Sequence, residues 1–157
     1  MRNPVGKLIV LTAMTALAVW GADSSLGTWK YNADKTKITV GTTPLKSRTE
    51  VIEATPDGGF TMTRTDVRTD GNNVNSSVTC KYDGKKCSVT GSPVVDSVSV
   101  KRVNADAITS ESFKKGGEPY QTGTTVVSKD GKTKTATFKG VDAQGKPIAG
   151  TIVYDKQ

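Results

Sequence analysis

Val74-Asn75-Ser76-Ser77-Val78-Thr79-Cys80-Lys81-Tyr82-Asp83-Gly84-Lys85-Lys86-Cys87 is the stretch that decides the fold. Val74, Ser76, Val78, Cys80 and Tyr82 fall on one side of a period-two alternation, and Asn75, Ser77, Thr79 and Lys81 fall on the other. That alternation marks a half-buried strand. Asp83-Gly84 then offers a two-residue turn, because Gly takes up the positive φ that tight hairpins need. With that turn Tyr82 faces Lys85, Lys81 faces Lys86 and Cys80 faces Cys87. Opposed Cα atoms lie about 5.5 Å apart in a hydrogen-bonded pair, within reach of a disulfide. A structural Cys80–Cys87 bridge is therefore expected, pinning one hairpin and adding little to global stability because the loop is short. A metal site would need further soft ligands, and a redox pair usually shows the tighter C-x-x-C spacing.

The same rhythm extends in both directions. Asp57-Gly58-Gly59, Asp70-Gly71-Asn72 and Asp83-Gly84 recur at intervals of 13 residues. Asn104-Ala105-Asp106, Gly116-Gly117, Asp130-Gly131 and Gln144-Gly145-Lys146-Pro147 continue the series. Between these turns Phe60 and Met62 interleave with Thr61 and Thr63, and Ile148, Gly150, Ile152 and Tyr154 alternate near the C-terminus. The spacing predicts strands near 26–32, 46–54, 60–68, 73–82, 85–89, 95–103, 107–115, 119–128, 133–141 and 148–156. No segment after the N-terminal stretch carries a 3.6-residue apolar stripe. The expected fold is all-β: an up-and-down antiparallel meander of about 8–10 strands that removes its edges by closing into a barrel. A β-sandwich is the rival, but it prefers Greek-key crossovers. The long link from Asp34 to Leu45 could cross one mouth.

Composition agrees. The 157 residues hold 23 Thr and 18 Val against only 5 Leu, a balance that suits strands over helices. The length favours one domain. Histidine is absent, which removes His-based triads, the commonest zinc ligand and the usual base near neutral pH. No metal and no cofactor are expected.

Met1 to Lys7 carries two basic residues and no acid, and Leu8 to Trp20 is an uncharged, mostly apolar run of 13 residues ending at Gly21-Ala22. A basic start, a short apolar centre and a small-residue exit describe a secretory signal peptide. A spanning helix needs roughly 20 apolar residues. Residues 1–21 are thus read as a signal peptide and 22–157 as the barrel domain, secreted or periplasmic in a bacterium. Removing 1–21 leaves 20 basic and 15 acidic residues and lowers the net charge from +7 to +5. The basic residues are dispersed, mostly beside Asp-Gly turns, so nucleic acid is not an expected partner. No membrane span is expected after cleavage.

At the two ends of the barrel-length meander the chain resembles a known superfamily. Leu26-Gly27-Thr28-Trp29-Lys30 resembles the Gly-x-Trp opening of lipocalins and, more closely, the Gly-Thr-Trp-Lys opening of fatty-acid-binding proteins. Val153-Tyr154-Asp155-Lys156 is similar to their last strand. Exported bacterial lipocalin-like proteins of unknown function share the look of nearly all of residues 26–157. The resemblance implies structural roles for Gly27, Trp29 and Lys156: the Trp closes the barrel floor, and Lys156 packs over it in a cation–π contact. The departures bear on function. Ile152 stands where fatty-acid-binding proteins carry an Arg that holds the ligand carboxylate. Their helical lid is absent, because 38–45 is β-rich and contains Pro44. The Thr-Asp-Tyr motif of lipocalins is missing too. Fatty-acid carriage does not carry over, because fold alone does not fix a ligand.

Catalysis finds little support. Paired-acid chemistry needs two carboxylates across a cleft, and among Glu50, Glu53, Glu111 and Glu118 the best lone candidate is Glu111, sharing a face with Phe113. An outward-facing charge, or an ion pair with a neighbouring Lys, is the simpler reading of Glu111. The expected function is binding of a small, apolar or amphipathic ligand among Phe60, Met62, Val126, Phe138, Ile152 and Tyr154, taken as inward-facing. The alternative is an envelope structural or protein-interaction module whose barrel holds nothing. With few apolar residues to fill the barrel, the interior is expected to contain many Thr and Ser side chains.

Overall fold

The computed structural model describes residues 23–41, 45–142 and 144–157. The expected signal peptide lies outside the described residues. Ten strands follow one another: β1 (Gly27–Val40), β2 (Leu45–Ala54), β3 (Phe60–Arg68), β4 (Asn73–Cys80), β5 (Asp83–Thr90), β6 (Val95–Asn104), β7 (Ala107–Lys114), β8 (Pro119–Val127), β9 (Thr133–Val141) and β10 (Pro147–Lys156). Each pairs antiparallel with the next, and β10 pairs with β1, so the sheet is a closed barrel. Closure leaves no strand with an unpaired edge.

The turns are built by the residues that announced them. Asp70 Oδ1 accepts from the Asn72 N–H, Asp130 Oδ1 from Lys132 and Asp142 Oδ1 from Gln144, at 2.9 to 3.0 Å. These Asx turns let the following Gly complete a tight reversal. The outer wall carries much of the threonine. Thr109, Thr124, Thr137 and Thr151 stand opposite one another across β7 to β10, and the Thr61 and Thr79 hydroxyls meet at 2.9 Å.

The core sits toward one end. Trp29, Ile52, Phe60, Val78, Val100, Val127, Ile152 and Tyr154 form its centre, and Trp29 is fully buried. Its indole N–H donates to the Ser25 carbonyl at 2.8 Å, which satisfies the one polar atom that burial would otherwise strand. Asp23 to Leu26 thus lies across this end of the barrel and closes it.

Two local expectations need correction. The first strand does not stop near residue 32. After an irregularity between Asn32 and Lys37 it resumes against β10, pairing Lys37 with Thr151 and Val40 with Ala149. The Thr36 hydroxyl heals the break by donating to the Asn32 carbonyl at 2.8 Å and accepting the Val153 N–H at 3.1 Å. The connection to β2 is correspondingly short. Asp83-Gly84, for its part, does not form a two-residue hairpin. β5 begins at Asp83, which pairs with Lys101 of β6, and the β4–β5 ladder has only the rungs Ser77–Thr90 and Val78–Val89. Tyr82 is drawn off the ladder, because its carbonyl accepts from the Arg102 N–H and its hydroxyl donates to Asp23. The Cys pairing survives the change: Cys80 and Cys87 are bridged with a Cα separation of 5.6 Å.

Candidate functional site

The closed end is held by charge as well as by packing. Asp23 Oδ2 accepts from the Tyr82 hydroxyl and from Arg102 Nη2, both at 2.6 Å, while Oδ1 accepts from the Ser25 hydroxyl and N–H. Arg102 also lies over the Tyr82 ring, 3.8 Å from its centroid. Burial and the bond to Asp23 push the Tyr82 hydroxyl up to about 12. Lys156 stands opposite Trp29 across the β1–β10 ladder, its Nζ 5.1 Å from the ring centroid. Gly27 makes room for it. Its φ of +116° disfavours a side chain, and a Cβ there would meet the Lys156 Cε at 3.0 Å.

Above this floor the interior is charged. On β2 and β3 the register sets Glu50 opposite Arg64 and Arg48 opposite Asp66. Arg48 holds Asp66 bidentately at 2.6 and 2.7 Å. Arg64 Nε donates to Glu50 Oε1 at 2.9 Å, and Lys134 Nζ of β9 donates to Oε2 at 2.6 Å. The Tyr154 hydroxyl sits between the two pairs, 3.3 Å from Arg48 Nη1 and 3.3 Å from Glu50 Oε1. Lys134 is also 5.0 Å from the Trp29 ring and 4.6 Å from that of Tyr154. Burial by itself would raise the Glu50 carboxyl, but the charges of Lys134, Arg64 and Arg48 outweigh it and hold the group well below the usual carboxylate range. Burial pulls the Lys134 ammonium down, against the pull of Glu50. Among the described residues no buried side-chain polar atom lacks a partner. Such a network is stable only because every member is satisfied.

The cluster borders a cavity of about 570 Å³ that reaches the opposite end of the barrel. One wall is polar, with Arg48, Arg64, Asp66 and Arg68 along β2 and β3 and Tyr154 on β10. Apolar residues flank this charged strip on both sides, Val78, Val89 and Val98 on β4 to β6 and Ala136 and Phe138 on β9, while β7 and β8 across the barrel add Ser110, Ser112, Gln121 and Thr125. Leu45, Arg68, Tyr120 and Asp142 stand toward the mouth.

The sequence-derived candidates divide three ways. Met62, Phe138, Ile152 and Tyr154 face the cavity. Phe60 lies in the floor, its ring 4.9 Å from that of Tyr82. Val126 is not inward: it is 44% exposed on the outer wall, and Val127 is buried in its place. Two adjacent valines hide the parity of a strand, and a one-residue slip exchanges the faces. Glu111 is exposed, and it lines a groove on the outside of β6 to β9 together with Lys101 and Lys139.

Sequence reasoning missed Arg48, Arg64, Asp66, Arg68 and Lys134. The signal was present in the alternation. Arg64, Asp66 and Arg68 continue the inward parity of Phe60 and Met62, and Lys134 shares that of Phe138. The habit of placing charges outside overrode it.

No family model matches this sequence, and no curated protein matches it. Among the solved structures similar to it are two ligand complexes. One is EF1p2_mFAP2b bound to DFHBI, at 11% identity and a TM-score of 0.47, covering 87% of this chain and 96% of that one. The other is the amine binding protein of Rhodnius prolixus in its tryptamine complex, at 12% identity and a TM-score of 0.43, covering 86% of this chain and 65% of that one.

Proposed function

We propose that the protein binds one small, partly apolar molecule inside its barrel, outside the cytoplasm. One observation carries the reading: a barrel sealed at one end by Trp29 and its partners encloses a cavity of about 570 Å³ in which a charged strip on β2 and β3 is flanked by apolar side chains. Concave, mostly preformed sites of this size, with a few convergent polar groups, are where small ligands bind. Every acid bordering the cavity from β2 and β3 is tied into an ion pair with Arg48 or Arg64, which suits binding better than proton transfer. The reading places Met62, Phe138, Ile152 and Tyr154 against the ligand and gives Gly27, Trp29 and Lys156 the task of holding the floor.

The disulfide fits an oxidising compartment, and the signal peptide read in residues 1–21 would deliver the chain there. Native mass spectrometry of the purified protein, with N-phenyl-1-naphthylamine as an added probe, tests the reading. A saturable 1:1 complex supports it. A barrel that binds neither copurified molecules nor the probe, yet captures a reproducible protein partner, favours an interaction module.

A further inference from the structure

The charges around the cavity do not cancel. Arg48 is neutralised by Asp66 through two hydrogen bonds. Glu50 serves two cations at once, Lys134 and Arg64, and Arg64 remains 33% exposed beside the cavity. Arg68 and Asp142 at the mouth add one charge of each sign. The Asp142 oxygen Oδ1 is engaged by the Gln144 and Lys146 N–H groups of its own turn. The Arg68 side chain makes no hydrogen bond or ion pair among the described residues. The cavity and the groups behind it thus carry one positive charge in excess, and the cation without a partner stands at the mouth.

From this layout we infer that the ligand is a compact aromatic monoanion, its acidic group on Arg68 and its ring laid between Val74 and Val98 on one side and Phe138 on the other, with an edge toward the charged β2–β3 strip. This rests on the cavity being a small-molecule site. Shape follows from where the polar groups lie. Arg64, Asp66 and Arg68 are successive inward positions of β3, spanning about 13 Å at roughly 3.3 Å per residue. A long alkyl chain running down the barrel would lie against guanidinium and carboxylate groups over that whole distance and strip them of water. A flat ring instead offers one face to the valines of β4 and β6, the other to Phe138 of β9, and an edge to the charged strip. A guanidinium keeps its charge at any working pH and pairs with a planar carboxylate or a sulfonate through two N–H groups. The last strand offers the cavity Ile152 and Tyr154 and no basic side chain, and β3 supplies the cation.

Two dyes with the same ring body test this directly: 1-anilinonaphthalene-8-sulfonate and N-phenyl-1-naphthylamine, which lacks the sulfonate. The intact protein should bind the sulfonate at least about tenfold more tightly, which corresponds to about 1.4 kcal/mol. Arg68→Gln should bring the two within about twofold of each other without changing the melting temperature, and Arg68→Lys should restore part of the preference. Naphthalene-2-carboxylate should displace the dye better than palmitate. Equal binding of the two dyes, or a preference that Arg68→Gln leaves intact, overturns the charge assignment. Stronger displacement by palmitate overturns the shape. Failure of both dyes to bind overturns the cavity reading itself, and this inference with it.

Discussion

Lys134 Nζ lies 2.6 Å from Glu50 Oε2 inside the barrel, with the two side chains 3% and 5% exposed. Arg64 holds the other Glu50 oxygen, so one buried carboxylate organises two cations from opposite sides of the β1–β10 closure. Removing the carboxylate alone should therefore be costly. Glu50→Gln leaves a buried ammonium without its counter-charge and should cost about 3–5 kcal/mol in urea unfolding. Glu50→Gln combined with Lys134→Met should recover a large part of that loss, because the two effects are coupled.

Acid should expose the same pair. The folded-state pKa of Glu50 is depressed below its ordinary value of 4.5. Below 4.5 the unfolded chain therefore binds more protons than the folded one, and stability falls as pH falls. Unfolding free energy should be level from pH 7 to 5 and then drop progressively toward acid. Measured on Glu50→Gln, the same profile should start lower and decline less.

Alkali should loosen the floor. Tyr82 is raised to about 12 from an ordinary 10.0. The stability it contributes is fully present below pH 10 and is lost as pH rises toward 12. Tyr82→Phe should remove that part of the alkaline decline, read as melting temperature from pH 9 to 11.5.

The disulfide should matter locally more than globally. It spans the β4–β5 seam, where only two rungs pair, and closes a short loop with a separation of 7. Reduction should lower global stability by no more than about 2.5 kcal/mol. Amide exchange should rise most at 77–90, well above the change at the β2–β3 pair.

Gly27 should resist substitution. Gly27→Ala places a Cβ at a φ of +116° against the Lys156 stem and should cost about 1–3 kcal/mol. Trp29→Ala should cost more, about 3–5 kcal/mol, by emptying the floor. Thermal unfolding ranks the two.

The barrel was legible because alternation and turn chemistry are local. Phe60–Arg68 and Thr133–Val141 begin and end where their flanking turns predict. What escaped was non-local. The extension of β1 to Val40 depends on the Thr36 hydroxyl reaching Asn32 and Val153. The opening of the Asp83-Gly84 turn depends on Asp23, some 60 residues away in sequence. The interior does contain the expected Thr and Ser, but its most buried polar groups are Glu50, Asp66 and Lys134 beside Ser25. Serines do line the cavity, Ser76, Ser110 and Ser112 among them, but much of the threonine stands on the outer wall, where β-branched residues suit a pleated surface. Arg48, Glu50, Arg64, Asp66 and Lys134 are five separate charges in the sequence until the register pairs them.

The central claim is that the cavity takes a ligand. Ala136→Trp tests it most directly, because Ala136 lies on the cavity wall and a Trp there fills the space. Fluorescence titration with N-phenyl-1-naphthylamine should show one saturable site in the native protein and at least about a tenfold loss of affinity in the variant, with the fold retained by circular dichroism. Absence of saturable binding in the native protein, or binding undiminished by Ala136→Trp, contradicts it.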